Sequence, residues 1–391
     1  MRIVHVISSL DPVLGGPPVV AAHLAAAQAA LGHEVHVLSY PSASGAERLR
    51  EALAGIRQFR LVQHDLLPMP GRVELLLAGA ARREMRRYLP GFDVVHIHAV
   101  WDGLAKGAAD VARRHRVRYV VAPHGMLDPW SMSQGHWKKR IALALGYRRM
   151  LEEAAFLHVL NADERDLLRP LGLRCPLEVI PNGVAMEDFQ TLPAKDEFHR
   201  SHPELRGQPY ILFLSRLHHK KGLDYLASVF AVCAKRNEEV HLVVAGPDHG
   251  ARGALESQVE GAGLRQRVHI VGPLYGKEKL AALAGASCFC LPSRQEGFSM
   301  AIAEAMACGV PVVASEGCHF PELAEFGAGS VVKLDEGQIA EALVRIVGDG
   351  AMQKRMGEAG RQLIESRYTW PVIGKRSIGA YRSWIGAAGR R

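Results

Sequence analysis

The stretch of sequence that decides the fold is Pro292-Ser-Arg-Gln-Glu296-Gly-Phe-Ser-Met-Ala-Ile-Ala-Glu304-Ala-Met-Ala-Cys-Gly-Val-Pro311. It follows four apolar residues, Cys288 to Leu291, that predict a short buried strand, and it predicts a helix that begins near Ser299. The free N–H groups and partial positive charge at the start of that helix suit a phosphate. A carboxylate cannot bind a phosphate directly, so we expect Glu296 and Glu304 to accept hydrogen bonds from the hydroxyls of a sugar and a ribose.

The alternation of strand, loop and helix extends through the chain in both directions. In the first half, strands are predicted at residues 3–8, 34–39, 93–98 and 117–123, with helical spacing at 19–31 and 102–115. In the second half, strands are predicted at 210–215, 240–245, 268–271, 288–291 and 310–314, with helices at 224–236, 277–284 and 300–307. This rhythm predicts parallel sheets covered by helices, and a length of 391 residues favours two such domains. The polar stretch 190–207 is the predicted linker.

Composition excludes several classes of protein. A hydrophobic content of 48% and a charged content of 23% are typical of an ordinary globular protein rather than a disordered or fibrous one. The start of the chain reads directly into a strand, so we expect no signal peptide, and no apolar run reaches the roughly 20 residues of a membrane span. The six cysteines lack zinc-finger spacing, and we expect buried free thiols in a reducing cytoplasm.

Positive charge is concentrated in one part of the chain. The net charge is +8, and the segment from Arg72 to Met150 carries fifteen Lys and Arg against six Asp and Glu. This surplus suits a phosphate-rich partner, such as nucleic acid, an anionic membrane or an acidic substrate, or it forms a solvated basic face. Residues 136–150 mix basic and apolar side chains, which predicts either a helix that docks on a membrane or an amphipathic helix of the core.

A pair of carboxylates also raises the possibility of a glycoside hydrolase. In a continuous helix, the eight-residue step from Glu296 to Glu304 would separate them by about 12 Å along the axis. The two carboxylates of a retaining hydrolase lie only about 5 Å apart. The spacing therefore favours two separate hydroxyl acceptors over a hydrolytic pair.

The two glutamates, with seven residues between them and followed by Ala-Met-Ala-Cys-Gly-Val-Pro-Val-Val-Ala, resemble the signature of glycosyltransferase family 4. This resemblance covers nearly the whole chain and implies a retaining enzyme with the GT-B fold, in which two Rossmann-like, doubly wound domains face a central cleft. It implies an acceptor-binding domain over residues 1–190 and a nucleotide-sugar-binding domain over 205–370. The last segment, 371–391, would be a helix that crosses back onto the first domain.

Two cations follow the first strand of the second half, in Leu214-Ser-Arg216-Leu-His-His-Lys-Lys221-Gly. Fixed cations beside a helix start are what a diphosphate leaving group requires, because negative charge grows on it as the glycosidic bond breaks. The resemblance implies that Arg216 and Lys221 hold the donor diphosphate and act in catalysis with Glu296. A solvated basic turn is the alternative.

Further site residues come from loops at strand ends. Gly15 and Gly16 permit a ligand to approach the backbone closely, as in the family's glycine loop over the donor phosphates. An ordinary turn is the alternative interpretation. The resemblance adds His124, after a strand, as a catalytic contact to the transferred sugar. Asp128 and Trp130 are candidates for the acceptor side or for packing. The donor-binding set that the resemblance implies is completed by Gly272, Gly297, Phe298, Ser299 and Glu304.

The predicted substrates follow from these residues. The chain has no Asp-x-Asp pair to hold a divalent metal, so we expect neither metal nor cofactor. We expect a nucleotide-sugar donor and a sugar or lipid-linked acceptor, in polysaccharide or glycolipid biosynthesis, at a cytoplasmic location with peripheral membrane contact. Nucleic acid is not an expected partner. The rivals are an epimerase or phosphorylase of the same fold, and a nucleic-acid- or membrane-binding protein that uses the basic segment.

Overall fold

The computed structural model describes residues 1–42, 45–205 and 207–386, which form two compact units. The first comprises Met1–Gly183 and the chain from Trp370 onward, and the second comprises Val184–Thr369. The boundary therefore lies before the predicted linker, 190–207. That stretch belongs to the second unit because Phe198 and Leu205 are buried in its hydrophobic core.

The first unit contains a seven-stranded parallel sheet, within the described residues, in the order β3-β2-β1-β4-β5-β6-β7. The strands are β1 (Arg2–Val6), β2 (Glu34–Ser39), β3 (Gln63–Leu66), β4 (Val94–His98), β5 (Arg118–Ala122), β6 (Leu157–Val159) and β7 (Leu177–Val179). The strand order reverses at β1, which lies between β2 and the central strand β4, as in a doubly wound fold. The four strands predicted from Val- and Ile-rich runs are β1, β2, β4 and β5; the other three went unpredicted.

Helices cover both faces of this sheet. They are α1 (Gly16–Ala30), α2 (Ala46–Ala54), α3 (Arg72–Leu77), α4 (Gly79–Tyr88), α5 (Gly103–Arg114), α6 (Pro129–Ser133), α7 (His136–Ala142), α8 (Arg148–Glu152), α9 (Ala162–Leu168) and, from the end of the chain, α18 (Trp370–Gly386). Helix α18 packs on α1 in the first unit. A Cβ atom at Gly374 of α18 would lie 3.1 Å from the Cβ atom of Ala27 on α1, so glycine there favours close packing of the two helices.

The two faces of the central strands differ in character. Because side chains alternate along a strand, Val4 and Val6 of β1 point to one face, where they join the apolar core. His5, between them, points to the other face. On β4, which pairs with β1, His96 is the register partner of His5 and shares its face with His98. This second face is the one covered by Gln28 of α1 and Tyr381 of α18.

The second unit contains a six-stranded parallel sheet, in the described chain, in the order β10-β9-β8-β11-β12-β13. The strands are β8 (Tyr210–Leu214), β9 (His241–Ala245), β10 (Val268–Gly272), β11 (Cys288–Leu291), β12 (Val312–Ser315) and β13 (Gly329–Val332). The helices are α10 (Glu197–Ser201), α11 (Leu223–Arg236), α12 (Arg252–Gly261), α13 (Gly276–Gly285), α14 (Met300–Ala307), α15 (Glu322–Glu325), α16 (Glu336–Val347) and α17 (Gly350–Arg367). All five predicted strands are present, and all six cysteines of the chain are buried and free, as expected.

Residues 136–150 do not form the single helix that the sequence predicts. Helix α7 ends at Ala142, a wider turn follows, and Gly146 has a φ of 105°, which breaks the helical path before α8. Met150 is buried, whereas Trp137 is 71% exposed. Only the end of this segment therefore belongs to the core.

Candidate active site

The loop between β11 and α14 is held in place at both ends. Ser299 precedes α14 and its hydroxyl oxygen accepts a hydrogen bond from the N–H of Ile302, as a helix cap does. The N–H of Glu296 donates to the carbonyl of Gly317 at 2.8 Å. The predicted order of strand, loop and capped helix is thus present. It leaves the start of α14 close in sequence to Glu296 and Gly297.

Lys221 is brought to Glu296 by a close approach of two loops. Gly222 has a φ of 72°, and a Cβ atom there would overlap the carbonyl oxygen of Pro292, so only glycine allows the approach. The Lys221 ammonium then lies 2.5 Å from a carboxylate oxygen of Glu296, with the side chains 13% and 9% exposed. Two residues that the sequence assigns to one donor site, 75 positions apart, are therefore in direct contact.

Glu304 has a cationic partner that the sequence does not reveal. The ammonium of Lys279, on α13, lies 2.9 Å from a carboxylate oxygen of Glu304 on α14. Both side chains are partly buried. Nothing in the spacing of Lys277-Glu-Lys279 marks the second lysine, because the contact depends on how α13 and α14 pack. The two glutamates thus pair with two different lysines, which agrees with separate roles.

Arg294 is a second residue that the sequence reasoning missed. Its guanidinium donates to both carboxylate oxygens of Asp224, at 2.8 and 2.6 Å, and to the carbonyl of His219 at 2.8 Å. Its backbone N–H also donates to the carbonyl of Lys220. Arg294 therefore ties the loop that carries Glu296 to the loop that carries Lys221. A bidentate arginine contact of this kind fixes orientation as well as charge.

Arg216 lies just beyond the end of β8, and Gly272 ends β10 on the other side of β9. Arg216 is exposed and follows Ser215, whose carbonyl oxygen would overlap a Cβ atom at Gly246. Gly246 in turn donates its N–H to the carbonyl of Gly272, which has a φ of 81° and open space beside its Cα atom. The ring of Phe298 packs against Phe320 and Tyr368, and its contact with the donor stays a prediction.

In the first unit, the glycine loop opens helix α1. Gly15 has a φ of 107° and directly precedes the helix, and Gly16 is its first residue. No described atom lies within 4 Å of the position of a Cβ atom at either glycine. The N-terminus of α1 therefore has room for a ligand at its backbone, as a phosphate site requires.

His124 is held in an unusual backbone conformation after β5. Its φ is 51°, and the N–H of the next residue, Gly125, donates to a carboxylate oxygen of Glu164 at 3.0 Å. The other oxygen of Glu164 accepts from the N–H of Leu160, and burial raises the pKa of this carboxyl. Burial, with the nearby His158, lowers the pKa of His124 to about 3. Glu164, which the sequence does not single out, thus anchors the His124 turn.

Asp128 and Trp130 have distinct surroundings. The carboxylate of Asp128 accepts a hydrogen bond from the N–H of Ser131 at 2.6 Å and so caps α6. It is buried, whereas Trp130 is 48% exposed. The cap gives Asp128 a structural task and the Trp130 ring is accessible, while contact of either residue with an acceptor stays a prediction.

Two models of protein families match the chain, and together they cover most of it. The model described as glycosyl transferases group 1 matches residues 194–363, and the model of a glycosyl transferase 4-like domain matches residues 15–183. The D-inositol 3-phosphate glycosyltransferase of Xylanimonas cellulosilytica is 27% identical over 94% of this chain and 91% of its own length. A GDP-mannose-dependent alpha-(1-6)-phosphatidylinositol monomannoside mannosyltransferase of Mycobacterium tuberculosis is 26% identical over 88% and 89%.

Solved structures are similar over almost the whole chain. Anabaena HepE, in complex with UDP and glucose, has a TM-score of 0.76 at 19% identity and covers 98% of this chain and 100% of its own. Sucrose-phosphate synthase from Thermosynechococcus elongatus has a TM-score of 0.72 at 22% identity and covers 99% and 100%. These similarities confirm the predicted GT-B fold of two Rossmann-like domains.

Proposed function

Because the chain belongs to the family of group 1 glycosyl transferases, we propose that it moves a sugar from a nucleoside diphosphate to an acceptor hydroxyl with retention of anomeric configuration. It is an enzyme of the glycosyltransferase class. The observation that supports the proposed site best is the contact between Lys221 and Glu296 next to the start of α14. It places a cation for the diphosphate beside a carboxylate that can accept from sugar hydroxyls.

The proposed roles follow from charge and hydrogen-bonding capacity. Lys221 and Arg216 neutralise the diphosphate, helped by the N–H groups at the start of α14. Glu296 accepts hydrogen bonds from the transferred sugar and Glu304 from the ribose. Lys279, through its contact at 2.9 Å, orients the Glu304 carboxylate. Because side chains carry the charge that neutralises the leaving group, we propose that transfer needs no metal ion.

Retention is proposed to proceed by attack on the same face from which the diphosphate departs. The bond between the anomeric carbon and the β-phosphate oxygen breaks, and a bond from the acceptor oxygen to that carbon forms. The acceptor proton passes to the departing phosphate oxygen. Positive side chains and helix N–H groups stabilise the charge that grows on the diphosphate, which is the largest expected contribution to catalysis.

The donor is the part of the proposal that a direct assay decides. The relatives named above include one dependent on GDP-mannose, and HepE was solved with UDP. We expect one class among UDP-, GDP- and ADP-sugars to give a glycosylated product with the donor's anomeric configuration, and the rate to persist in EDTA. Product analysis by NMR measures both. Donor isomerisation without a product would support the epimerase instead, inverted product would contradict the mechanism, and loss of activity in EDTA would contradict metal independence.

A second proposal concerns contact with an anionic membrane surface through the first unit. Helix α3 leaves Val73, Leu75, Leu76 and Leu77 exposed, with Leu76 72% exposed. Arg82, on the next helix, donates to the carbonyl of Leu77. A pocket of about 420 Å³ beside it is lined by Arg82, Arg86, Asp110, Val111, Arg113 and Arg114. Apolar side chains next to clustered arginines suit insertion among anionic headgroups.

Vesicle binding tests the membrane contact. Among the described helices none is long and apolar enough to cross a bilayer. We expect the protein to sediment with phosphatidylglycerol vesicles and not with phosphatidylcholine vesicles, and high salt to weaken binding. Leu76→Ser with Leu77→Ser should reduce the affinity at least about tenfold, given ~0.8 kcal/mol per buried CH₂ group. Tyr275→Ser, at an exposed site of the second unit, is the matched control. Equal sedimentation of all three proteins would contradict the proposal.

A further inference from the structure

A continuous chain of hydrogen bonds joins five histidines beneath α1 and α18. His124 Nε2 lies 3.0 Å from His98 Nδ1, His98 Nε2 lies 2.8 Å from His5 Nδ1, and His5 Nε2 lies 2.8 Å from Gln28 Oε1. The Gln28 amide nitrogen lies 3.1 Å from the Tyr381 hydroxyl, which lies 2.6 Å from His96 Nδ1. His96 Nε2 lies 3.3 Å from His158 Nδ1, and His158 Nε2 lies 2.6 Å from the carbonyl oxygen of Ile180.

One end of the chain sets the direction of its hydrogen bonds. The carbonyl of Ile180 can only accept, so His158 Nε2 carries a proton. In a neutral ring, His158 Nδ1 is then an acceptor, and His96 Nε2 must donate to it. His96 Nδ1 is left as an acceptor, and the Tyr381 hydroxyl donates to it. The hydroxyl oxygen of Tyr381 must therefore accept a hydrogen bond from Gln28.

Gln28 carries this direction across to the other histidines. Because the Tyr381 oxygen accepts, the amide NH₂ of Gln28 faces it, and the amide oxygen faces His5. His5 Nε2 then donates and its Nδ1 accepts from His98 Nε2. By the same step His98 Nδ1 accepts from His124 Nε2. Each of the five neutral rings is left with one proton, on Nε2.

The burial of these side chains supports neutral rings. His5, His96, His98 and His158 are each at most 2% exposed. Burial lowers the pKa of His5 and of His158 to about 4, and it holds the pKa values of His96 and His98 well below the usual value of histidine. A charged imidazolium ring would also need a hydrogen-bond acceptor at both of its nitrogens. In this chain of hydrogen bonds each ring has one neighbour that donates and one that accepts.

The same histidines invite comparison with a metal site. Ligand atoms of His5, His96 and His98 lie within 4.8 Å of one another. Two nitrogens bound to one tetrahedral zinc ion would be roughly 3.3 Å apart. The 2.8 Å between His5 Nδ1 and His98 Nε2 is the distance of a hydrogen bond instead. The geometry therefore favours hydrogen bonds between neutral histidine rings over a bound zinc ion, and bound zinc is an outcome that an experiment can detect.

We propose that Tyr381, Gln28, His5 and His98 are positioning residues that hold His124 as the neutral Nε2–H tautomer, with Nδ1 free of hydrogen. In this state His124 accepts a hydrogen bond from a hydroxyl and repels a phosphate or carboxylate oxygen. As a contact to substrate this rests on the proposed function: the group that binds at His124 must present a hydroxyl, and one with a carboxylate at that position is rejected.

The tautomers are measured directly in the whole protein. Nitrogen-15 spectra of protein labelled at histidine distinguish Nε2–H from Nδ1–H and from imidazolium, and His124→Asn assigns the signal. We expect all five histidine rings of the hydrogen-bonded chain to be the Nε2–H tautomer at pH 7.5. An Nδ1–H or charged His124 would overturn the proposal, as would zinc bound at one ion per chain with loss of these signals. Transfer activity plays no part in this measurement, so failure of the proposed function would leave it intact.

Two variants of the side chains around Gln28 test the coupling. Tyr381→Phe combined with Ser377→Ala removes both acceptors of the Gln28 amide nitrogen, at 3.1 and 2.9 Å, so we expect a mixture of tautomers at His5, His98 and His124. Ser377→Ala alone leaves the chain of hydrogen bonds continuous through Tyr381, so a single tautomer should persist. Unchanged tautomers in the folded double variant would overturn the coupling. If that variant does not fold, the wild-type spectrum still decides the proposal.

Discussion

Glu296→Gln is expected to lower kcat/KM for sugar transfer at least about 100-fold, the scale on which loss of one preorganised polar contact acts in enzymes. Glutamine keeps the size of the side chain but replaces a carboxylate oxygen, which only accepts hydrogen bonds, by an amide group that donates. A hydroxyl of the transferred sugar then loses part of its acceptor. The measurement is the initial rate of transfer with the donor class found in the product assay.

Binding of the nucleoside diphosphate alone separates the role of Glu296 from that of Lys221. The Lys221 ammonium lies 2.5 Å from a carboxylate oxygen of Glu296, so Glu296→Gln releases a cation for the diphosphate. We expect calorimetry to show unchanged or tighter binding of the diphosphate to Glu296→Gln, and weaker binding to Lys221→Met. Glu325→Gln, on the exposed surface of the same unit, is the control and should keep full activity. Full transfer by Glu296→Gln would remove Glu296 from the site.

The sequence predicts those parts of the fold whose signal is local. Strands β1, β4 and β8 are recognisable because each is a run of apolar residues next to a helical pattern. Strands β6 and β7 are three residues long, and β3 carries Gln63, His64 and Asp65, so none of the three has a run that stands out. These strands form because the open edge of a neighbouring strand supplies their hydrogen bonds, β2 for β3, β5 for β6 and β6 for β7, and that information is not local.

The same distinction applies to the candidate site. Glu296, Glu304, Arg216 and Lys221 are visible because their motifs are compact. Lys279, Arg294 and Glu164 are not, since each acts through a partner that packing brings near, 25 residues away for Lys279 and 39 for the Glu164 contact to Gly125. The histidine chain had a readable signal: His5, His96 and His98 interrupt strands that are otherwise apolar, where a polar side chain needs a partner.

Acid is expected to unfold the first unit before the second. Its buried histidines stay neutral in the folded state and take up protons when the unit unfolds, so low pH favours unfolding. In the unfolded chain a histidine has a pKa near 6.5. In the folded protein burial lowers the pKa of His5 and His158 to about 4 and of His124 to about 3. The folded state therefore binds fewer protons between about pH 6.5 and 4, and its stability, fully present above 6.5, is lost as the pH falls through this window.

The loss is large on the scale of protein stability. Each such histidine removes about 1.4 kcal/mol of unfolding free energy per pH unit once the pH is below 6.5. Three of them remove about 6 kcal/mol by pH 5, against a typical total of about 5–15 kcal/mol. Asp102 and Glu164 act in the opposite direction, because burial raises the pKa values of both. Carboxyls titrate mainly below this range, so the histidines dominate between pH 6.5 and 5.

His158→Gln isolates one histidine without breaking the chain. The glutamine amide can donate to the carbonyl of Ile180 and accept from His96 Nε2, as His158 does, yet it does not titrate. We expect hydrogen exchange to show earlier opening of β1 and β4 than of β8 and β9 at pH 5, and chemical denaturation to show a pH slope about 1.4 kcal/mol per unit smaller in His158→Gln. His115→Gln, at an exposed position, should leave the slope unchanged. An equal slope in wild type and His158→Gln would mean that His158 is already charged in the folded protein. Its Nδ1 would then donate to His96 instead of accepting from it, and the proposed direction of the hydrogen bonds would be wrong.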